Sequence, residues 1–429
     1  MQSESFCGSF TYHGKTPTKR DRDYSSLDFG SACGSITLPY NMSAEIEETI
    51  KLTHQFFMDS YEYSSANMLS KSLLGDNCCA LSHAFQHYLI NDKESNYEGL
   101  QLALAKLNEK QESRKDNGVY YTPSDVVYFI VSNCIRATYG LINGDNLASS
   151  DFTGIPVRSF CLEKTVFEPT CGAGEFLLSA LEIKLELWEG SGFAFEADTL
   201  EQIVATLHGN DINRESTTIA KIRLFLLIIR KCGIELACSI ADVLDAVFTN
   251  FDFINIPKTF NRKYDIIIGN PPYVEDSKYS GLLNEKYGNV YCNVLSNSIM
   301  HLSDEGVIGF IIPISYVSTP RMRKIREKLN RLLPKQFILN FADRPDCLFT
   351  SVHQKLSILI GCPGSVKTTY TSNYHYWYKA ERDNLFKRIA VVENEVQRED
   401  CIPKFGTYQD KNIYNKITDT DRCISVYDS

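Results

Sequence analysis

The tetrapeptide Asn270-Pro271-Pro272-Tyr273 carries the residue types in this chain best suited to chemistry. It follows Tyr264-Asp265-Ile266-Ile267-Ile268-Gly269, a compact apolar run that reads as a buried strand. An amide oxygen and a proline carbonyl at a strand end can both accept hydrogen bonds from an –NH2 group. Such acceptors suit an exocyclic amine conjugated to a ring, whose delocalised lone pair makes it a poor nucleophile. Pulling that nitrogen toward tetrahedral geometry frees the lone pair. The two prolines fix φ and remove two N–H donors, so the loop is stiff and presents acceptors. Tyr273 offers a flat face for the ring. Asn-Pro and Pro-Pro are also ordinary turn signals, so the surrounding elements decide between the two readings.

Those elements alternate. Thr165-Val166-Phe167-Glu168 reads as a short strand, followed by Pro169-Thr170-Cys171-Gly172-Ala173-Gly174 and a helix from Glu175 to Trp188. A second strand ends near Gly209-Asn210-Asp211, before a helix from Arg214 to Lys231. A third strand is expected over Ile234 to Ile240, ending at Ala241-Asp242, and the fourth precedes Asn270. A helix over Val290–Leu302 leads to a fifth strand, Gly306 to Pro313, with further strands at Gln336–Phe341 and Leu356–Gly361. The alternation predicts an α/β protein with a doubly wound parallel sheet. Ligands in such sheets bind beyond the carboxyl ends of the strands, where all these motifs fall.

The chain has 429 residues, 43% hydrophobic and 23% charged, as expected for a globular protein. Residues 1–43 read as an irregular arm, 44–113 as a helical module, 114–363 as the α/β core and 364–429 as a C-terminal extension. No apolar run is long enough to span a bilayer, and the start lacks a secretory pattern, so no membrane partner is expected. The 14 cysteines are scattered without a C-x-x-C pair, which argues against a zinc ribbon or a disulfide framework. A reducing cytoplasm is the expected compartment. Net charge is −9, so any nucleic-acid contact needs a local basic face. Residues 321–333 supply a candidate: Met322, Ile325, Leu329, Leu332 and Leu333 form one helical stripe, and the other side is largely basic. The plainer reading of that stretch is a solvated amphipathic helix.

A glycine-bearing turn after Glu168 lets a ligand approach the backbone. An acid at the second strand end, Asp211, can hold ribose hydroxyls, and Asp242 is placed to accept from an adenine amino group. Taken singly, each acid reads as a helix cap. In order and spacing the set resembles the S-adenosylmethionine-dependent N6-adenine DNA methyltransferases of γ arrangement, of restriction-modification type. Their Rossmann-like sheet is the fold this implies. The resemblance covers about residues 114–362 and begins at Gly118-Val119-Tyr120-Tyr121-Thr122-Pro123. It implies that Thr122 contacts the methionine carboxylate. Glu168, Pro169, Cys171, Gly172 and Gly174 hold the amino-acid end, Asp211 the ribose and Asp242 the cofactor adenine. Asn270 and Pro271, stiffened by Pro272, polarise the target amine. Tyr273 stacks on a flipped base, and Phe349 packs on its other side. S-adenosylmethionine is the implied cofactor, with no metal, and double-stranded DNA the implied partner.

Two features depart from the family. Val294 stands where relatives commonly have a phenylalanine over the cofactor's adenine, and only a short stretch follows the core where a target-recognition region is usual. Either a separate specificity or restriction subunit reads the target, or the chain is a fragment or reduced form. Methylation of RNA or of a protein glutamine amide uses the same tetrapeptide and stays open, as does a modification subunit inactive without its partner.

Overall fold

A computed structural model describes residues 121–418, apart from 284, 350–352 and 397, together with Tyr97, Gln101, Leu102, Leu104 and Ala105. The expected arm at 1–43, nearly all of the expected helical module and the start of the Gly118 element lie outside the described residues. The five upstream residues that are described are helical.

The chain enters through α1 (Ser124–Thr138) and α2 (Val157–Glu163), then β1 (Val166–Glu168), α3 (Glu175–Gly190), α4 (Ala197–Ala205) and β2 (Leu207–Asn210). Three helices follow: α5 (Arg214–Cys232), α6 (Ile234–Ser239) and α7 (Ala241–Ala246). Next come β3 (Phe248–Thr249), β4 (Tyr264–Gly269), α8 (Tyr291–Met300) and β5 (Leu302–Pro313). After α9 (Ser315–Ser318) and α10 (Arg323–Leu332) the chain adds β6 (Lys335–Phe341), β7 (Leu356–Cys362), β8 (Thr368–His375), β9 (Val392–Glu393) and α11 (Tyr408–Thr418).

The strands form one sheet in the order β3-β2-β1-β4-β5-β7-β6-β8-β9. β1 to β5 are mutually parallel, so their carboxyl ends share one edge. The doubly wound sheet is present, with a correction to its all-parallel reading: β7 runs antiparallel between β5 and β6, and β9 antiparallel to β8. β8 pairs with β6, so the start of the expected extension belongs to the same sheet.

Side-chain alternation builds two cores. In β4, Ile266 and Ile268 join the cluster under α1, α3 and α5, while Ile267 joins the cluster under α8 and α10, as does Tyr264 ahead of a register shift in the pairing. In β5, Val307 and Ile311 face the first, and Ile308, Phe310 and Ile312 the second. Helices thus cover both faces of the parallel half. A Cβ at Gly309 of β5 would fall on Cys134 and Ile130 of α1, so that glycine lets α1 lie flush on the sheet. The close seating brings Thr122, just ahead of α1, over the end of β4.

The expected third strand is helical. Ile234, Leu236, Cys238 and Ile240 alternate as a strand would, but Ala237, Ile240, Ala241 and Leu244 are the fully buried positions, a period of 3.6 over the wider window. β3 is instead the two-residue segment at 248–249. The amphipathic helix at 323–332 is formed, with Met322, Ile325, Leu329 and Leu333 buried, whereas Leu332 is exposed. Part of its basic side is engaged within the chain, while Arg321, Lys324 and Arg331 are exposed. Arg326 is buried and donates to the carbonyls of Tyr316, Thr319 and Glu399 at 2.8–2.9 Å. Arg323 pairs with Glu327 and Glu399.

Candidate active site

Four neighbouring strands, in the order β3-β2-β1-β4, end in Thr249, Asn210, Glu168 and Gly269. Beyond those ends lie Asp252, Asp211, the turn through Gly174, and Asn270. With adjacent strands about 4.8 Å apart, the row spans roughly 14 Å. A cavity of about 380 Å³ runs along it. Its walls include Thr122, Glu168, Asp211, Asp252, Asn270 and Val294. Pro169, Cys171, Gly172 and Pro272 line it as well.

The turn after β1 is shaped by glycine and by hydrogen bonds. Gly172 and Gly174 have φ of 51° and 78°, which L side chains rarely adopt. A Cβ at Gly174 would also stand 2.9 Å from the Ala220 Cβ, so the glycine lets α3 and α5 meet. Cys171 N–H donates to Asn210 O at 2.8 Å, and Gly172 N–H donates to Asp211 Oδ2 at 2.9 Å, tying the turn to the end of β2. Asp211 Oδ1 also accepts the Asn213 N–H at 2.8 Å. Burial pushes the Cys171 thiol up, with Asp211 and Glu168 adding to the shift, which keeps it protonated and unsuited to act as a nucleophile.

Glu168 is buried and accepts the Leu177 N–H at 3.2 Å. Burial raises its pKa well above the ordinary carboxylate value, and Glu175 and Asp211 add to the rise; the Leu177 hydrogen bond and Arg223 oppose it. Glu175, also on the cavity, is paired with Arg223 at 2.6 Å. Arg223 in turn donates to Ala173 O at 2.8 Å and to Gln101 Oε1 at 2.9 Å, and Ala105 lines the cavity. The described upstream residues are therefore docked onto the turn. With Glu175 paired to Arg223, Glu168 and Asp211 are the acids on this stretch of the cavity, and a cation bound there would favour the ionised form of Glu168.

Asn270 Nδ2 donates to Thr122 Oγ1 at 3.0 Å. Pro271 is buried behind it. The Tyr273 hydroxyl donates to Ile311 O at 2.9 Å and its ring meets Tyr291 edge-on at 6.4 Å.

Five expected site residues do not line the cavity: Gly174, Pro271 and Tyr273, which adjoin lining residues in the chain, and Asp242 and Phe349. Asp242 lies in the first turn of α7, exposed, where a carboxylate favours the helix dipole. The acid after the third strand is Asp252, which sequence reading missed because β3 is only two residues long. The run Phe251-Asp252-Phe253, an acid between aromatics, was the available signal. Phe349 is fully buried in the core.

A doubly wound sheet with acids and an Asn-Pro-Pro-Tyr loop on one carboxyl edge is the arrangement that the methyltransferase resemblance calls for. Residues 205–345 match the Eco57I restriction-modification methylase family. That stretch holds Asp211, Asp252 and the tetrapeptide. The chain is 26% identical over 214 residues to the modification methylase CviBIII of Paramecium bursaria Chlorella virus NC1A, covering 48% of this chain and 45% of the relative. It is 24% identical over 205 residues to the type II methyltransferase M.PaeR7I of Pseudomonas aeruginosa, covering 45% and 31%. This chain spans less than half the length of these curated relatives. The ATP-dependent Type ISP restriction-modification enzyme LlaBIII bound to DNA shares the fold, with a TM-score of 0.51 at 15% identity over 84% of this chain and 30% of that one. The resemblance to restriction-modification methylases read from the motifs is met by these matches. Among the described residues, no helix is long and apolar enough to cross a membrane.

Proposed function

We propose that this chain transfers a methyl group from S-adenosylmethionine to the N6 of an adenine in DNA, as the modification activity of a restriction-modification system. The observation that carries this reading is Asn270, fixed by Thr122 at the end of β4, on the same cavity as Glu168, Asp211 and Asp252. When bound, the cofactor supplies a methyl already activated by a sulfonium. The chain's own residues bind and orient. Glu168 faces the ammonium of the amino-acid end, Asp211 the ribose hydroxyls and Asp252 the purine amino group. The Thr122 hydroxyl, accepting from Asn270, keeps its own proton to donate to the carboxylate.

The target adenine must leave the duplex to reach this edge. The Asn270 amide oxygen and Pro271 carbonyl accept from its amino group and aim its lone pair at the methyl. Tyr273, held by Ile311 O and Tyr291, presents its ring to the base; Phe349 supports the core instead. Positioning and electrostatics are the protein's main contribution to such a displacement.

The test is transfer of labelled methyl to unmethylated DNA with the product nucleoside identified. N6-methyladenine, lost in Asn270→Ala while cofactor binding persists, is the expected result. Transfer to RNA or to a protein amide in preference to DNA would replace the substrate in this reading. Cofactor binding without transfer to DNA would place target recognition on a partner subunit.

A further inference from the structure

The segment after the Asn-Pro-Pro-Tyr loop returns over the cavity. Val290 N–H donates to Val274 O at 2.8 Å and closes the 274–290 loop at its base. From 277 to 282 every side chain is exposed except that of Tyr279, which lines the cavity beside Phe253 and Val294. Its hydroxyl donates to Asp252 Oδ2 and accepts from Asn255 Nδ2 at 2.8 Å, and Asn255 Nδ2 also donates to Asp252 Oδ2 at 2.8 Å. A Cβ at Gly281 would fall on the Tyr279 hydroxyl and ring, so the backbone there lies directly against the tyrosine. A half-buried ring in an exposed loop, pinned by two polar partners and backed by a glycine, is a placed wall.

We infer that Tyr279 is the aromatic wall of the nucleoside end of the cavity, a purine-binding residue supplied by the loop beyond the tetrapeptide where Val294 supplies no ring. This rests on the proposed cofactor reading and deepens it. A flat π face favours a stacked purine. The hydroxyl on Asp252 Oδ2 does not exclude the purine amino group. Oδ1 accepts the Ile254 N–H at 3.0 Å, and a carboxylate oxygen takes two hydrogen bonds. Ring and acid together would then read the purine from its face and its edge.

The test is calorimetric titration of the full chain with S-adenosylhomocysteine and with adenosine, for wild type and for Tyr279→Ala, Tyr279→Phe and Gly281→Ala. Melting of each ligand-free protein serves as the folding control. Tyr279→Ala should weaken both ligands roughly tenfold, the loss expected for one stacked base. Tyr279→Phe should restore most of it. Gly281→Ala should follow Tyr279→Ala, because the added methyl displaces the ring. Wild-type binding with unchanged affinities in Tyr279→Ala would overturn this inference and leave the cofactor reading intact. Equal losses in Tyr279→Phe and Tyr279→Ala would overturn the role of the ring. No wild-type binding of S-adenosylhomocysteine would overturn both readings.

Discussion

Asn270 Nδ2 and Thr122 Oγ1 are 3.0 Å apart, joining the loop after β4 to the residue that leads into α1. The bond commits the amide nitrogen and turns the amide oxygen the other way, as an acceptor for an amine requires. Thr122 is buried, and both residues face the cavity. In the proposed reading one hydroxyl serves two jobs: it orients the amide and offers its proton to the cofactor's carboxylate.

Thr122→Val keeps the shape and removes both functions. Methyl transfer should fall by roughly 10–100-fold, the worth of one or two hydrogen bonds of about 1–1.5 kcal/mol each. Cofactor affinity should fall too, and Thr122→Ser should recover most of both. Single-turnover kinetics beside equilibrium binding separates the effects. Valine at wild-type rates would show that the amide is held by other means.

The acid that meets the purine amino group is decided by comparing two alanine variants. Asp252→Ala should weaken S-adenosylhomocysteine by roughly 10–100-fold, since a hydrogen bond to a charged group contributes about 1.5–3 kcal/mol. Asp242→Ala, at an exposed helix start, should change that affinity less than twofold and only slightly lower the melting temperature. The reverse pattern would restore the assignment read from sequence.

Legibility followed the strength of local signals. β1, β4 and β5 were plain because Val166-Phe167, Ile266-Ile267-Ile268 and Val307–Ile312 are buried on both faces, and such strands read as continuous apolar runs. The loops after them, with Glu168 and Asn270, could be placed from those runs. β3 could not, because two residues carry no period, and the alternation at Ile234–Ile240 imitated a strand nearby. That one substitution moved the acid read after the third strand from Asp252 to Asp242. The antiparallel insertion of β7 is a property of strand order, which Leu356–Cys362 does not encode locally. Tyr279 carried no signal either: its place depends on Asp252, Asn255 and Gly281 meeting in three dimensions.

Lys184 is fully buried and donates to Phe160 O, Cys161 O and Lys164 O at 2.8–3.2 Å, and to Thr206 Oγ1 at 2.7 Å. It caps the carbonyl end of α2. Burial lowers its pKa from 10.5 to about 7. Between those values the unfolded chain binds more protons than the folded one, so this group makes stability rise with pH through that window. Lys184→Met should cost roughly 3 kcal/mol by leaving buried carbonyls unmatched. It should also flatten the slope. Urea titrations on either side of neutrality measure both, and an unchanged slope would place the proton elsewhere.

Glu168 links cofactor binding to pH. Its folded pKa is raised above 4.5, chiefly by burial, so the ligand-free chain keeps its proton at pH values where exposed carboxylates have lost theirs. In that window the folded state binds more protons than the unfolded one, and ligand-free stability falls as pH rises. An incoming ammonium favours the ionised carboxylate, so binding must expel the proton. Affinity should therefore climb with pH through the window and level off above it. Proton release should appear as a dependence of the calorimetric heat on buffer ionisation enthalpy. Glu168→Gln should abolish that dependence and lower the plateau affinity roughly 10–100-fold, again for the loss of a charged hydrogen bond. A wild-type affinity that is flat from about pH 5 to 8, with no buffer-dependent heat, would mean that ligand binding does not change the protonation of Glu168.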